Sequence, residues 1–377
     1  MQYEEFRRQL THKVEEKLEW KDLATFVPNK PLPIYNWFYY KEGFAKELVE
    51  KLIEMFGLKE GDTVLDPFSG SGTTLLACKQ NNINSVGLDV LPTAVFVSMV
   101  KTADYDPGKL REEAKVLFRR KFVKLNWEFP KIMRSMINKY ALDDIAFFSS
   151  SIDGLPNKDF FTLALLNASI KVSWAWKDGG VIKIKKHPTP PLRKLFQRTV
   201  YRMIKDVEES LPSAASVAVL QQDARTMSLP DQSVDAIITS PPYLNNIDYT
   251  KLYAIEDFFM KMRRVPTLRS FIGVRDSQEH IDAGSASVAG VYFDDMKAML
   301  TESYRVCKPG AHAAIVIGNA YLGREVESDF IVAHLAGEIG FEVEKIYILN
   351  KRFALENRTT KVGTLRESLI ILKKKYR

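Results

Sequence analysis

The 377-residue sequence predicts an α/β chain: an open, largely parallel sheet interrupted by a large, mostly helical insertion. Three observations lead there. Short apolar runs ending in or followed by polar residues recur at 63–66, 85–89, 216–220 and 234–238, each reading as a buried strand with polar groups at its tip. Helical patterns alternate with these strands before residue 105 and again after 215. Between 105 and 215 the alternation stops and basic helical segments take over. The expected division is therefore 1–104, an N-terminal helix and the first part of the sheet domain; 105–215, an inserted recognition region; and 216–377, the remainder of the sheet domain.

Composition narrows the function classes. Hydrophobic content of 46% and charged content of 27% are ordinary for a globular protein. No run of about 18 apolar residues occurs and the N-terminus lacks the apolar core of a signal peptide, so a cytoplasmic protein with no membrane partner is expected. Cys78 and Cys307 lie far apart without neighbouring ligand types, which suggests neither a disulfide framework nor a metal site. Net charge is +7, and it is unevenly spread: residues 101–205 hold 22 Lys/Arg against 10 Asp/Glu, a net +12, while the remainder is −5. Such concentration points to a polyanionic partner in contact with the insertion.

In chain order, Phe6, Leu10, Val14 and Leu18 recur at helical spacing and predict a helix over residues 1–24. Pro28 to Pro33 must be extended or turned. The aromatic run from Asn36 to Phe44 precedes a helix from about Ala45 to Phe56 and reads as core packing or as a cofactor wall. The stretch Thr63-Val64-Leu65-Asp66-Pro67-Phe68-Ser69-Gly70-Ser71-Gly72-Thr73-Thr74 follows as strand, glycine loop and helix start. Gly70 and Gly72 permit a tight turn and close approach of a ligand to the backbone. A dinucleotide fingerprint would need glycine where Leu75 stands, and a phosphate loop would need lysine where Thr73 stands. Asp66 at the strand tip suits the ammonium of an amino-acid-bearing cofactor. The next strand, Ser85 to Asp89, ends in a carboxylate placed to hold two ribose hydroxyls.

The insertion interleaves basic residues with Trp127, Trp174 and Trp176, and passes through Gly179-Gly180-Val181-Ile182-Lys183-Ile184-Lys185-Lys186-His187, a pattern suited to phosphate contact with stacking on bases. After the strand Ser216–Leu220, Asp223 could accept from an adenine amino group or be a plain surface acid. The central strand Val234–Ile238 then delivers Thr239-Ser240-Pro241-Pro242-Tyr243 to the carboxyl edge of the sheet, where ligands bind in open α/β folds. Asn245 to Tyr249 and a helix around Leu252–Phe259 follow. Small residues from Asp276 to Gly290 predict a mobile loop able to close over substrate. A helix near Phe293–Cys307, ended by Lys308-Pro309-Gly310, leads to strands at Ala313–Ile317, Phe341–Leu349 and Glu367–Leu372.

The glycine motif Asp66–Thr74 together with Ser240-Pro241-Pro242-Tyr243 resembles the S-adenosylmethionine-dependent DNA amino-methyltransferases, which modify cytosine N4 or adenine N6. The likeness covers residues 36–100 and 216–372. It implies a Rossmann-like seven-stranded sheet, with Phe44, Phe68 and the glycine loop through Thr73 around the methionine part of S-adenosylmethionine. Asp89 would hold the ribose, and Ser240 to Tyr243 would surround the transferred methyl. The implied partner is double-stranded DNA, a cognate restriction endonuclease is compatible with it, and monomer and dimer both remain open. In the implied chemistry Ser240 Oγ and the Pro241 carbonyl accept from the target amine, and Tyr243 stacks on a flipped-out base. Cytosine N4 is favoured over adenine N6, with RNA amino-methylation as a further alternative. The glycine motif here precedes the Ser-Pro-Pro-Tyr motif, the reverse of many relatives with serine, which leaves the subgroup open. Ring-carbon methylation is disfavoured, because it needs a cysteine where Ser240 stands.

Overall fold

The structure is a computed structural model that describes residues 2–178, 181–244, 253–262, 272, 285–356 and 360–376. Its strands are β1 (Val14–Glu16), β2 (Thr63–Asp66), β3 (Asn84–Asp89), β4 (Ala175–Asp178), β5 (Val181–Ile184), β6 (Val217–Gln221), β7 (Val234–Thr239), β8 (Cys307–Gly318), β9 (Ala320–Tyr321), β10 (Glu325–Val326), β11 (Phe341–Glu356) and β12 (Thr360–Lys374). The α-helices are α1 (Gln2–Leu10), α2 (Lys46–Phe56), α3 (Thr73–Gln80), α4 (Pro92–Thr102), α5 (Pro107–Arg119), α6 (Lys131–Met136), α7 (Lys139–Ile152), α8 (Lys158–Lys171), α9 (Leu192–Glu208), α10 (Ala254–Met262), α11 (Ser285–Val306) and α12 (Ser328–Ile339).

The central sheet runs β1-β11-β12-β8-β7-β2-β3-β6. β12 lies antiparallel to both neighbours, and the other pairings are parallel. The chain runs outward from β2 through β3 to β6, then returns to place β7 on the other side of β2. That reversal makes β2/β7 the switch point of the sheet, where the connections diverge and a crevice opens at the strands' carboxyl ends.

The α/β architecture is as expected, but the sheet has eight strands rather than seven. The extra strand comes from the segment expected to be helical to residue 24, where α1 stops at Leu10 and Val14–Glu16 pairs with Ile346–Ile348. Phe6, Leu10 and Val14 all reach the same apolar layer, whereas Leu18 is 43% exposed. The unpaired edge of β11 offered the backbone a ladder that helical spacing alone could not reveal. The helix expected near Phe293 starts at Ser285, so the small residues Ser285 to Gly290 are helical rather than a loop. Residues 276–284 lie outside the described residues. Lys308-Pro309-Gly310 does not separate helix from strand: β8 begins at Cys307, with an irregularity in its pairing to β7 and a left-handed Gly310 at φ 84°. The last two strands are longer than expected and pair over most of their length.

Three apolar layers hold these elements. Two cover the faces of the sheet, one under α2 and α3 and the other under α11 and α12. The third is built from α5 to α9, and it also takes in Trp37 and Phe38, Phe96 and Val97 of α4, and Ile255 and Phe259 of α10. The helical region is thus fused to the sheet through side chains from outside 105–215.

Candidate active site

The glycine loop leaves β2 at Asp66 and enters α3. Gly70 (φ 51°) and Gly72 (φ 77°) are left-handed, a region that side chains rarely adopt. A Cβ on Gly70 would stand 2.9 Å from Tyr40 Cε1, so the Tyr40 ring lies directly on the loop. Backbone and side chain then lock the turn: Ser69 N donates to Leu88 O at 2.8 Å, and Ser98 Oγ donates to Gly70 O at 3.0 Å. α3 begins at Thr73 with no side-chain cap, which leaves its first-turn N–H groups without a capping side chain. The Ser69 and Ser71 hydroxyls are buried without a hydrogen-bond partner. Orphaned donors of this kind are expected where a polar ligand completes the site.

Two carboxylates flank the loop. Asp66 is 2% exposed. It accepts from Thr239 Oγ1 and Thr74 Oγ1, both at 2.7 Å, and from Phe68 N at 3.1 Å. Asp89 accepts from Gly70 N at 3.0 Å and Leu91 N at 2.9 Å, which fastens the loop to the tip of β3. Burial pushes both carboxyls up to about 6, against the opposing pull of these hydrogen bonds. Asp223 stands differently. Both its oxygens are held by Arg225, whose Nη2 approaches to 2.6 Å and whose Nη1 also pairs with Asp295 at 2.8 Å.

The second motif leaves β7 beside the first. Thr239 is the last strand residue, and its hydroxyl is the one bound by Asp66, so the two motifs are tied across the switch point. Ser240 is half-buried, Pro241 is buried, and the Pro242 carbonyl accepts from Tyr292 Oη at 2.8 Å. The Tyr243 ring packs on Gly318 at the end of β8, where a Cβ would come within 2.8 Å of it. Burial raises the Tyr243 phenol well above its usual range, and the nearby Glu367 carboxylate adds to the shift. The expected Asn245–Tyr249 stretch lies outside the described residues.

Phe44 is buried in the layer under α2, with its carbonyl accepting from Asn29 Nδ2 at 2.9 Å. The aromatic residue set against the loop is instead Tyr40, which sequence reasoning passed over. Its ring stacks on Tyr253 at 5.9 Å and 26°. Tyr253 donates to Glu42 Oε2 at 2.7 Å, and Lys177 Nζ of the β4–β5 hairpin lies 3.3 Å from the Tyr253 ring centroid. A contact path therefore joins the basic hairpin to the glycine loop. The signal for Tyr40 was its place in the aromatic run, but five aromatic residues there carry equal weight until packing sorts them. Lys101 was also missed: fully enclosed, it donates to Tyr35 O at 3.0 Å, and burial lowers its ammonium to about 7.

Comparison with known proteins agrees with this geometry. Residues 5–98 match the family described as DNA methylase. Type II methyltransferase M.BsoBI of Geobacillus stearothermophilus is 28% identical over 94% of this chain and 88% of its own. Type II methyltransferase M.AvaI of Anabaena variabilis is 25% identical over 87% of this chain and 83% of its own. These matches support an S-adenosylmethionine-dependent DNA amino-methyltransferase. A further relative, Type II methyltransferase M.MjaII of Methanocaldococcus jannaschii, is 32% identical over 42% of this chain and 28% of its own. The cofactor is S-adenosylmethionine, and the loop fits it: left-handed glycines, unpartnered buried hydroxyls and an uncapped helix start meet at the switch point.

Proposed function

We propose that this chain methylates an exocyclic amine of a base flipped out of double-stranded DNA, cytosine N4 in preference to adenine N6. The observation that carries the reading is the 2.7 Å bond from Thr239 Oγ1 to Asp66. It holds Ser240 and the glycine loop on adjacent strand tips, so a group accepting at Ser240 faces a ligand lying along the loop. S-adenosylmethionine supplies an electrophilic methyl on a sulfonium. Ser69, Ser71 and the α3 start hold its polar groups, Asp66 takes the ammonium, Asp89 the ribose hydroxyls, and Tyr40 and Phe68 wall the pocket.

An exocyclic amine conjugated into a base is a weak nucleophile. Ser240 Oγ and the Pro241 carbonyl accept from its two hydrogens, turning the lone pair toward the methyl and stabilising the charge that develops on nitrogen. Pro241 and Pro242 keep those acceptors stiff. Tyr243, backed by Gly318, offers its ring to the flipped base. Asp223, held in place by Arg225, is assigned to the adenine amino group.

Residues 105–215 are assigned to DNA recognition. Trp176 is 46% exposed, Lys185 and Lys186 are exposed, and Lys186 Nζ lies 5.4 Å from the Trp174 ring, so cations and stacking surfaces share one face of the insertion. The match to Type II methyltransferases favours a restriction–modification setting. Mass spectrometry of nucleosides from DNA treated with the purified protein tests the reading. N4-methylcytosine is the expected product; N6-methyladenine alone would move the target base, and methylation of RNA but not DNA would overturn the substrate.

A further inference from the structure

β11 and β12 run on past the body of the sheet. β12 pairs with β8 only from Glu367 to Lys373, and β11 pairs with β1 only at Ile346 to Ile348, yet the two strands stay paired with each other as far as Glu356 and Thr360. Thr360–Arg366 thus forms one side of a two-stranded ribbon reaching roughly 20 Å beyond the last β8 pair at the rise of extended chain. The ribbon leaves from the site's own edge of the sheet. Gly318, opposite Glu367, is the residue under the Tyr243 ring, and Tyr243 Oη lies 3.4 Å from Glu367 Oε1. Tyr321 on Gly363 and Glu325 on Thr364 N support its base along β12. Among the described residues the β11 side has no such cover: Lys351, Arg352 and Phe353 are three successive exposed residues, Phe353 at 56%.

The side chains on this ribbon suit a polyanion. Lys351 pairs with Glu16, while Arg352 and Lys361 are exposed, and Lys361 Nζ lies 3.9 Å from the Phe353 ring centroid. Charged residues on a free edge also serve to discourage strand pairing. That need explains the cations but not a half-exposed phenylalanine beside them, which is a liability on a free edge. Register places Arg352 opposite Leu365, one step along the same face from the Asn350–Glu367 pair that meets Tyr243. A two-stranded ribbon is narrow enough to enter the major groove of duplex DNA.

We propose that this ribbon is a second DNA-contact element, gripping the duplex beside the target base through Arg352 and Lys361, with Phe353 packed against the sugar-phosphate wall. The inference rests on the DNA-methylating reading above and adds a contact surface outside 105–215. It is tested with the full chain carrying Arg352→Ala, Phe353→Ala and Lys361→Ala, titrated against a fluorescent duplex of about three helical turns over a range of salt. The expected result is DNA binding weaker by about tenfold or more and a log-log salt slope shallower by about 2, one step per lost phosphate contact. S-adenosylmethionine affinity and turnover at saturating DNA should stay at the wild-type level. Unchanged affinity and slope in a folded, cofactor-binding variant would overturn the ribbon's role, as would loss of a wild-type dimer with the slope intact, which would assign the edge to a second copy. If the wild-type protein bound no DNA, the parent reading would fall instead, and the two failures are thereby told apart.

Discussion

The sheet edge and the basic helical region solve opposite problems. At the edge, polar groups are enclosed and tied to one another: Asp66 holds Thr239 and Thr74, and Asp89 holds Gly70 N. In the helical region the apolar core is closed by Leu110, Phe148, Phe160 and Phe196, and most of the cations stand outside it. Positioning needs groups that cannot move, and enclosure supplies that at the cost of shifting carboxyl titration upward. A polyanion needs charges that can release counterions, which only solvated side chains provide. On the proposed function, the difference says where a substitution should act: on the chemical step at the edge, on affinity and salt response in residues 105–215.

The largest effect expected is at Ser240. Ser240→Ala should lower methyl transfer by about 10² or more, the scale of one preorganised transition-state contact, while cofactor and DNA binding persist. Single-turnover kinetics check this, and an active alanine variant would dissolve the distinction between the two regions. On the other side, replacing Lys183, Lys185 and Lys186 by alanine should flatten the salt slope of DNA binding by about 3 and leave cofactor affinity alone. A slope that stays put would make this run a solvated face.

Asp89→Ala should weaken S-adenosylmethionine by roughly 1–3 kcal/mol in calorimetry, since both a hydrogen-bonding acceptor and the anchor of Gly70 are lost. Acidity sharpens the same point. Asp66 and Asp89 titrate near 6 when folded, against 3.8 for a free carboxyl, so the folded chain binds protons that the unfolded chain does not. Stability without cofactor should therefore rise as pH falls from 7 through 6 toward 4, and Asp89→Asn should flatten that dependence in thermal melts. Smallest of all, Tyr40→Leu should cost about 0.5–1.5 kcal/mol of cofactor affinity, because the Tyr40–Tyr253 stack that closes over Gly70 is lost. Affinity unchanged there would separate the hairpin from the loop.

Much was legible in the chain itself. Apolar runs ending in Asp66, Asp89 and Thr239 announced parallel strands with chemistry at their tips, because a strand buried on both faces must be apolar until it emerges. Gly70 and Gly72 announced the turn, because only glycine takes a left-handed backbone freely. Strand patterns also lapse and cations accumulate over 105–215, the stretch read as an insertion. What local pattern could not state is which groups meet. Thr239 lies 173 residues from Asp66, and nothing local distinguishes its hydroxyl from a surface one. Tyr40 was one aromatic among several until both Gly70 and Tyr253 met its ring. Val14 carried helical spacing, and the free edge of β11 turned it into a strand. Backbone preference and apolar period act over a few residues and can be read in order; partner choice depends on which surfaces the finished sheet brings together, and that was decided only by the tertiary structure.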